Sequence, residues 1–584
     1  MPIYQYGQTP SVTPGVKVQI VPPQTTYLTP AQTDILGIVG TANWGPVNQQ
    51  TPVSGYPNFV AQFGPQLNRA RDLGTAVNIA QQQGSQAQIC VRVTDGTDVA
   101  ATAILGLMTN TSAVVSGGAS YTTSSVVTLS NGAVINVTGV SGGAITAYTV
   151  ATQPTSVVTG AGAVTAVSAV GGGTGATFTW TYKQGLSLAS KYTGSGANAD
   201  TAQLMAGNQV GTWAVVISHP GRSSETFQNI GLGLTGLNLW TAIAAAINNG
   251  IGGQGPSQIM VATVGTSTTA PTAQTVTLSG GTDGWSGVTD TTLIGSDSAP
   301  RTGMYALRKS GAALGMLADC TTESTFPTQI VYGLSEGTYM VGVTPAGDTI
   351  SNAATTKAST GIDSYAFKLM FGDWCYWLDS VNNILQRLVS PQAFVAGWLA
   401  ANGPQNSSLN KQLQGIIATQ KSTTLVPYQD DELAQLYTAG IDVIATPCPG
   451  GPYFGAQNGH NTSSNNAIWG DNYSRMTNFL AATINTGVGP FIGQIQYAKQ
   501  QRQAKATLTA FLSDLQNANP PVIGNSSGTT PFSVTIGNNA AQVAAGKEIA
   551  TVQVQYGAII EQFIVNIEGG QSVVITSTVT TSAP

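Results

Sequence analysis

ILGIVGTANWGP, residues 35–46, is a near-continuous apolar run that ends in a Gly-Pro turn. A run this short, bounded by a turn and lacking polar alternation, marks a strand buried on both faces, so a strand is expected over Ile35–Thr41. Downstream, YPNFVAQFG (56–64) predicts a short helix stopped at Gly64, and NRARDLGTAVNIAQQQG (68–84) a longer one stopped at Gly84. AQICVRVTDG (87–96) returns as a strand. Strand, helix, strand at this spacing defines an α/β core.

Upstream lies TPGVKVQIVPPQ (13–24), where Val16-Lys17-Val18-Gln19-Ile20 alternates apolar and polar between breakers. That pattern predicts a strand, yet no second strand follows across a tight turn. Its unpaired amides and carbonyls need a mate from elsewhere.

Further along the core pattern breaks. Residues 105–182 are almost purely Gly, Ser, Thr, Ala and Val, with no charged residue from Thr109 to Tyr182. Short Val/Ile-rich segments between glycines predict an inserted all-β module; disorder competes, but the apolar content argues against it. From KQGLSLASKYTGSGAN (183–198) to LSGGTDG (278–284) the chain reads as mostly β, with one helix, NLWTAIAAAINNG (238–250). The α/β pattern resumes near residue 300: helix RTGMYALRKSG (301–311), strand ALGMLADC (313–320), helix FPTQIVYGLSEG (326–337), strand TYMVGVTP (338–345). SPQAFVAGWLAANG (390–403) predicts a helix with Ser390 as N-cap, Pro391 at the first position and Gly403 past the end. QDDELAQLYTAGIDVIATP (429–447) predicts another, capped by Asp430, then a strand. The two α/β segments are expected to share one sheet. Two amphipathic helices follow, NYSRMTNFLAATIN (472–485) and QIQYAKQQRQAKATLTAFLSDLQNA (494–518). Strands alone come after them: FSVTIG (532–537), IATVQVQYG (549–557), EQFIVNIEG (561–569) and QSVVITST (571–578).

At 584 residues the chain is too long for one core. Charged residues make up 8%, against about a quarter in ordinary soluble proteins. Charge keeps monomers apart, so a charge-poor surface points to extensive contact with other protein. A net charge of −5 argues against a general nucleic-acid or anionic-membrane partner. No apolar run reaches the roughly 20 residues of a spanning helix, and MPIYQYGQTP carries no secretory pattern. Cys90, Cys320, Cys375 and Cys448 are scattered, which suits buried thiols made in a reducing compartment.

Chemical motifs fail on context. GLSEG (333–337) matches a nucleophile elbow at Ser335, but the serine follows a helix and precedes a strand, the reverse of what that chemistry needs. Of the two histidines, His219 precedes a proline and His460 sits in a Gly/Asn-rich loop; both read as loop residues. GLGLTG (231–236) precedes a helix but lacks the acidic ribose contact, since no Asp or Glu lies between Glu225 and Asp283. Asp283 alone is too few ligands for calcium. No cofactor, metal or small-molecule ligand is expected, and the chain reads as not an enzyme.

Five stretches in colinear order resemble the contractile tail sheath proteins of bacteriophages. They are PGVKVQIV with ILGIVGTANWGPVNQQTPVSGYPNFVAQFG, then ASKYTGSGAN (with Ala197 where a second glycine is usual), SSETFQNI, LSGGTDG and SRMTNFLAATI. The resemblance runs from about residue 13 to 110 and from 183 to 580; the 105–182 module lies outside it, and its GGGTGATFTW looks like glycine-rich β repeats of virion proteins. The likeness implies an α/β core that is subtilisin-like but without protease residues. All-β insertions interrupt that core, and an α+β C-terminal tube-facing domain and exchanged N- and C-terminal strands complete the architecture. The implied layout is an N-terminal arm over 1–30, core over 31–104, an outer-surface β insertion over 105–182 and a β-rich domain over 183–285. The core resumes over 286–450, and the tube-facing domain spans 451–584.

By the same likeness the subunit forms stacked hexameric rings around a tail tube and contracts to drive the tube through the host envelope. Its partners would be copies of itself, the tail tube protein, and baseplate and tail terminator proteins, within a virion tail assembled in the host bacterial cytoplasm. Exchanged strands are implied at Val16, Lys17, Val18, Gln19 and Ile20, and at Val573, Val574, Ile575 and Thr576. Arg475 and Asn478 are implied tube contacts, with Lys499, Arg502 and Lys505 on the next helix. A phage tail and a bacteriocin particle are not separated by this chain. A β-rich virion adhesin or receptor-binding protein is the alternative reading.

Overall fold

The computed structural model describes residues 3–5, 18–20, 28–525, 528–565 and 567. Its centre is a six-stranded sheet ordered Phe367–Met370, Tyr339–Val343, Leu314–Leu317, Leu36–Gly40, Gln88–Arg92, Thr51–Val53. The first five strands run parallel and the last antiparallel. Leu36 lies opposite Leu314, so segments on either side of the long β-rich stretch close into one sheet. Parallel sheets need cover on both faces, and Leu36–Gly40, Gln88–Arg92 and Tyr339–Val343 are buried at every position.

On one face pack helices Tyr56–Phe63, Leu73–Gln82 and Gln392–Ala401. The last two meet closely: a Cβ on Gly397 would lie 2.6 Å from Ala80 Cα. On the other face pack Phe326–Glu336, Ile350–Ser359 and Asp430–Ala439.

Chain leaving the core at Arg92 builds two further bodies. Sheets Thr102–Leu105/Leu186–Ser190/Met260–Val264 and Gln274–Thr277/Thr201–Ala206/Trp213–Ser218/Glu225–Ile230 close with helix Gly236–Asn249 around Trp240, Leu188 and Phe227. The second body is six strands without a helix, ordered Ala144–Thr152, Val134–Ser141, Val126–Leu129, Val164–Val170, Thr174–Lys183, Met108–Ala119. Along Thr174–Lys183 the alternating Ala176, Phe178 and Trp180 turn inward to a separate apolar cluster. Its entry and exit are adjacent, Gly185 N donating to Gly106 O at 3.0 Å.

A small sheet, Ile384–Val389/Cys375–Asp379/Ile416–Thr419, flanks the core. The C-terminal part has helices Asp471–Gly487 and Ala498–Asn517 and the pair Phe532–Ile536/Ala550–Val554, packed with Leu28 from the opposite end of the chain. All four cysteines are buried free thiols.

Several local expectations are corrected. The helix expected over 301–311 is only a 3-10 turn, Gly303–Leu307, because Gly303 and Lys309 both hold positive φ, which ends helical winding at either side. The helix expected from residue 68 starts at Leu73, where Asp72 accepts a hydrogen bond from Thr75 N at 2.8 Å and caps it. Pro391, not Ser390, holds the cap position of Gln392–Ala401, although Ser390 Oγ still accepts from Gln392 N. Gln429 replaces Asp430 as cap of the next helix, its N–H donating to Glu432 at 2.9 Å. Residues 561–565, expected as part of a strand, form none.

Candidate functional site: polar junctions and open edges

The stretches singled out in the sequence converge in space. Arg92, fully buried at the end of its strand, donates to Gly45 O at 2.8 Å, Thr193 O at 2.7 Å and Asp283 O at 3.1 Å. Those three carbonyls belong to TANWGP, KYTGSGAN and LSGGTDG. Burial pulls the Arg92 guanidinium down to about 10, against the nearby carboxylates of Asp98 and Asp283, so it stays charged at neutral pH. Asp283 also binds Arg69 at 2.6 Å, and Asn198 exchanges two hydrogen bonds with the Gly281 backbone, at 3.0 and 2.7 Å. Space here admits no side chain. A Cβ on Gly281 would sit 2.4 Å from Gly194 O, and one on Gly194 would sit 2.1 Å from Asn43 O. The glycines are explained by backbone-on-backbone contact between the core and the β-rich body. Beside them Trp44 stacks on His219 at 4.0 Å, and His219 Nδ1 meets Asp200. His219 is thus a loop residue, as expected, and a buried strut within that loop.

A second junction binds the C-terminal part to the core. Lys368 Nζ lies 2.6 Å from Asp442 and 3.1 Å from Asp471, all three side chains fully buried, and also donates to His460 O at 3.0 Å. Tyr339 OH donates to Asp471 at 2.6 Å. Burial works against the Asp471 charge, but Lys368 and the hydroxyls of Ser408 and Tyr339 outweigh it and hold the carboxyl below its usual range. Asp471 opens helix Asp471–Gly487, so the pin fixes that helix at its N-terminus. The signal for both junctions was legible and missed: Arg92 in QICVRV and Lys368 in AFKLMF are lone charges inside apolar strands, which occur only with buried partners.

The predicted contact residues divide. Arg475 is 4% exposed and donates to Gly403 O at 2.9 Å, Asn402 O at 2.7 Å and Thr33 O at 3.4 Å. With these donors engaged inside its own chain, Arg475 is a structural tie between Thr33, Asn402 and Gly403. Asn478 is half-buried one turn on. Lys499, Arg502 and Lys505 are exposed on helix Ala498–Asn517. Ser335 lies inside helix Phe326–Glu336, its Oγ donating to Tyr332 O.

Among the expected exchange strands, Val18–Ile20 pairs in parallel with Ile3–Gln5, so one edge has a mate in its own chain, correcting the expectation of none. The other partner edges of this two-stranded sheet are open among the described residues. Val16, Lys17 and Val573–Thr576 lie outside the described residues. Both outer edges of Phe532–Ile536/Ala550–Val554 are likewise without a described partner strand. A groove of about 640 Å³ runs beside Ala550–Val554, lined by Trp469, Leu480, Ile484, Val552, Val554 and Tyr556 among others.

These features define an architecture, a parallel α/β core carrying β insertions through buried polar junctions. Its fold is that of the sheath tail proteins. The sheath tail protein of Listeria innocua superposes with a TM-score of 0.52 at 11% identity, covering 91% of this chain and 96% of its own. That of Desulfitobacterium hafniense gives 0.51 at 12% identity, covering 89% and 93%. No protein-family model matches the sequence, and no curated protein matches it significantly.

Proposed function

We propose that the chain is the structural subunit of a contractile tail sheath, polymerising as stacked hexameric rings around a tail tube and shortening to drive the tube through a bacterial envelope. One observation carries the reading: the likeness to sheath tail proteins spans about nine tenths of both chains, at TM-scores above 0.5. A sequence with only 8% charged residues suits a subunit enclosed by copies of itself. In this reading the core has the subtilisin-type arrangement, and the particle is a tail assembled in the host cytoplasm with baseplate and terminator proteins at its ends.

Cohesion comes from strand addition, in which arms around Val16–Ile20 and Val573–Thr576 complete open sheets of neighbouring subunits. The open pair Phe532–Ile536/Ala550–Val554 is a ready acceptor. At about 1 kcal/mol net per backbone hydrogen bond, an arm making roughly five contributes a few kcal/mol. Lys499, Arg502 and Lys505 face the tube. Negative-stain electron microscopy of the purified full chain tests this: hollow striated cylinders are expected, and a population of compact lone particles at every concentration overturns it.

A further inference from the structure

The described residues after Gly557, 558–565 and 567, are mostly apolar, form neither strand nor helix, and are left in water. Ile560, Phe563, Ile564, Val565 and Ile567 are between 63% and 88% exposed. A run of this kind is adhesive, and a subunit carrying it unrestrained would associate at random. One residue in its middle is held. Tyr437 OH donates to Glu561 Oε2 at 2.8 Å, and His460 Nε2 lies 3.1 Å from Oε1.

Both holders are packed against Trp469. Tyr437 stands on helix Asp430–Ala439, and its ring meets Trp469 edge-on at 5.3 Å. His460 stacks on Trp469 at 4.3 Å, and its side chain is 2% exposed. Its Nδ1 is buried with no hydrogen-bond partner, and its Nε2 faces the Glu561 carboxylate, which can only accept. Upstream, Asn472 Nδ2 donates to Gly557 O at 3.0 Å. Past Glu561 no hydrogen bond joins the described residues to the rest of the described chain.

We propose that Glu561 is a latch: it parks the apolar C-terminal run on its own subunit until a second copy takes the run, so that the Tyr437–Glu561–His460 contact sets how readily the chain polymerises. The proposal rests on the sheath reading and goes beyond it, because it assigns the resting position of the arm and the contact that must break.

The test compares the full chain with Glu561→Ala and Tyr437→Phe, two substitutions at the surface that leave the cores intact. Proteolytic cleavage within residues 558–565 of the lone subunit is expected to quicken about tenfold in Glu561→Ala, the equivalent of about 1.4 kcal/mol, and less in Tyr437→Phe. The concentration at which sedimentable polymer first forms is expected to fall by a similar factor. Unchanged cleavage overturns the latch. So does quickened cleavage with polymerisation unchanged or weakened, which would make the contact an alignment device. Should the unaltered chain form no polymer at any concentration while cleavage still quickens, the sheath reading fails, and the gating role falls with it.

Discussion

A lone charge inside an apolar strand is stable only while its partners remain. Lys368 carries two buried aspartates, and removing the ammonium leaves both carboxylates without compensation in a dry interior. Lys368→Met is therefore expected to lower the unfolding free energy by about 3–5 kcal/mol, read by denaturant titration, despite the apolar replacement. Asp72 makes the opposite case. Burial raises its carboxyl to about 6, against the opposing hydrogen bonds from Thr75 and the charge of Arg69. Because folding tightens its hold on the proton, its contribution is fully present below the unfolded value of about 4 and is lost as pH rises through about 6. A shift of roughly two units is worth up to about 3 kcal/mol. Asp72→Asn should flatten the stability–pH profile between those two values; a profile with the same slope in the variant removes Asp72 as its cause.

At the scale of elements, close approach decides where small residues stand. Alanine normally improves a helix over glycine by about 1 kcal/mol, yet at Gly397 the added methyl meets the Ala80 backbone at 2.6 Å. Gly397→Ala is expected to cost about 1–3 kcal/mol instead, measured as a lower denaturation midpoint. The six-stranded insertion is the contrary situation, since it buries its own apolar cluster and joins the body through neighbouring strands Thr102–Leu105 and Leu186–Ser190. Excising 107–184 and joining Gly106 to Gly185 should leave both the unfolding midpoint of the remainder and polymer formation unchanged. Loss of assembly in that deletion would show that the insertion is part of the lattice.

For the whole molecule, two kinds of contact are expected to respond differently to charge. Lattice contacts made by backbone pairing and apolar runs are little affected by salt, whereas a patch of exposed cations is screened. Reversing Lys499, Arg502 and Lys505 to glutamate together should leave subunit folding and self-assembly intact and abolish co-assembly with a tail tube. Retained co-assembly would move the tube contact elsewhere. Arg475 offers no such test, because its guanidinium ties Thr33, Asn402 and Gly403 within one chain.

The local pattern of residues determined most of the elements, with 301–311 and 561–565 as exceptions. Continuous apolar runs such as ILGIVG and YMVGV are buried parallel strands, alternation such as ATFTWT is a half-buried one, and capped amphipathic stretches are helices. These follow from neighbours a few positions apart, which share one local geometry. The tertiary structure alone decided what distant residues do: that TANWGP, KYTGSGAN and LSGGTDG meet around Arg92, that Lys368 finds Asp442 and Asp471, and that Arg475 is buried rather than presented. Partner choice for a buried charge depends on which segments the packing brings together, and sequence spacing carries no measure of that distance.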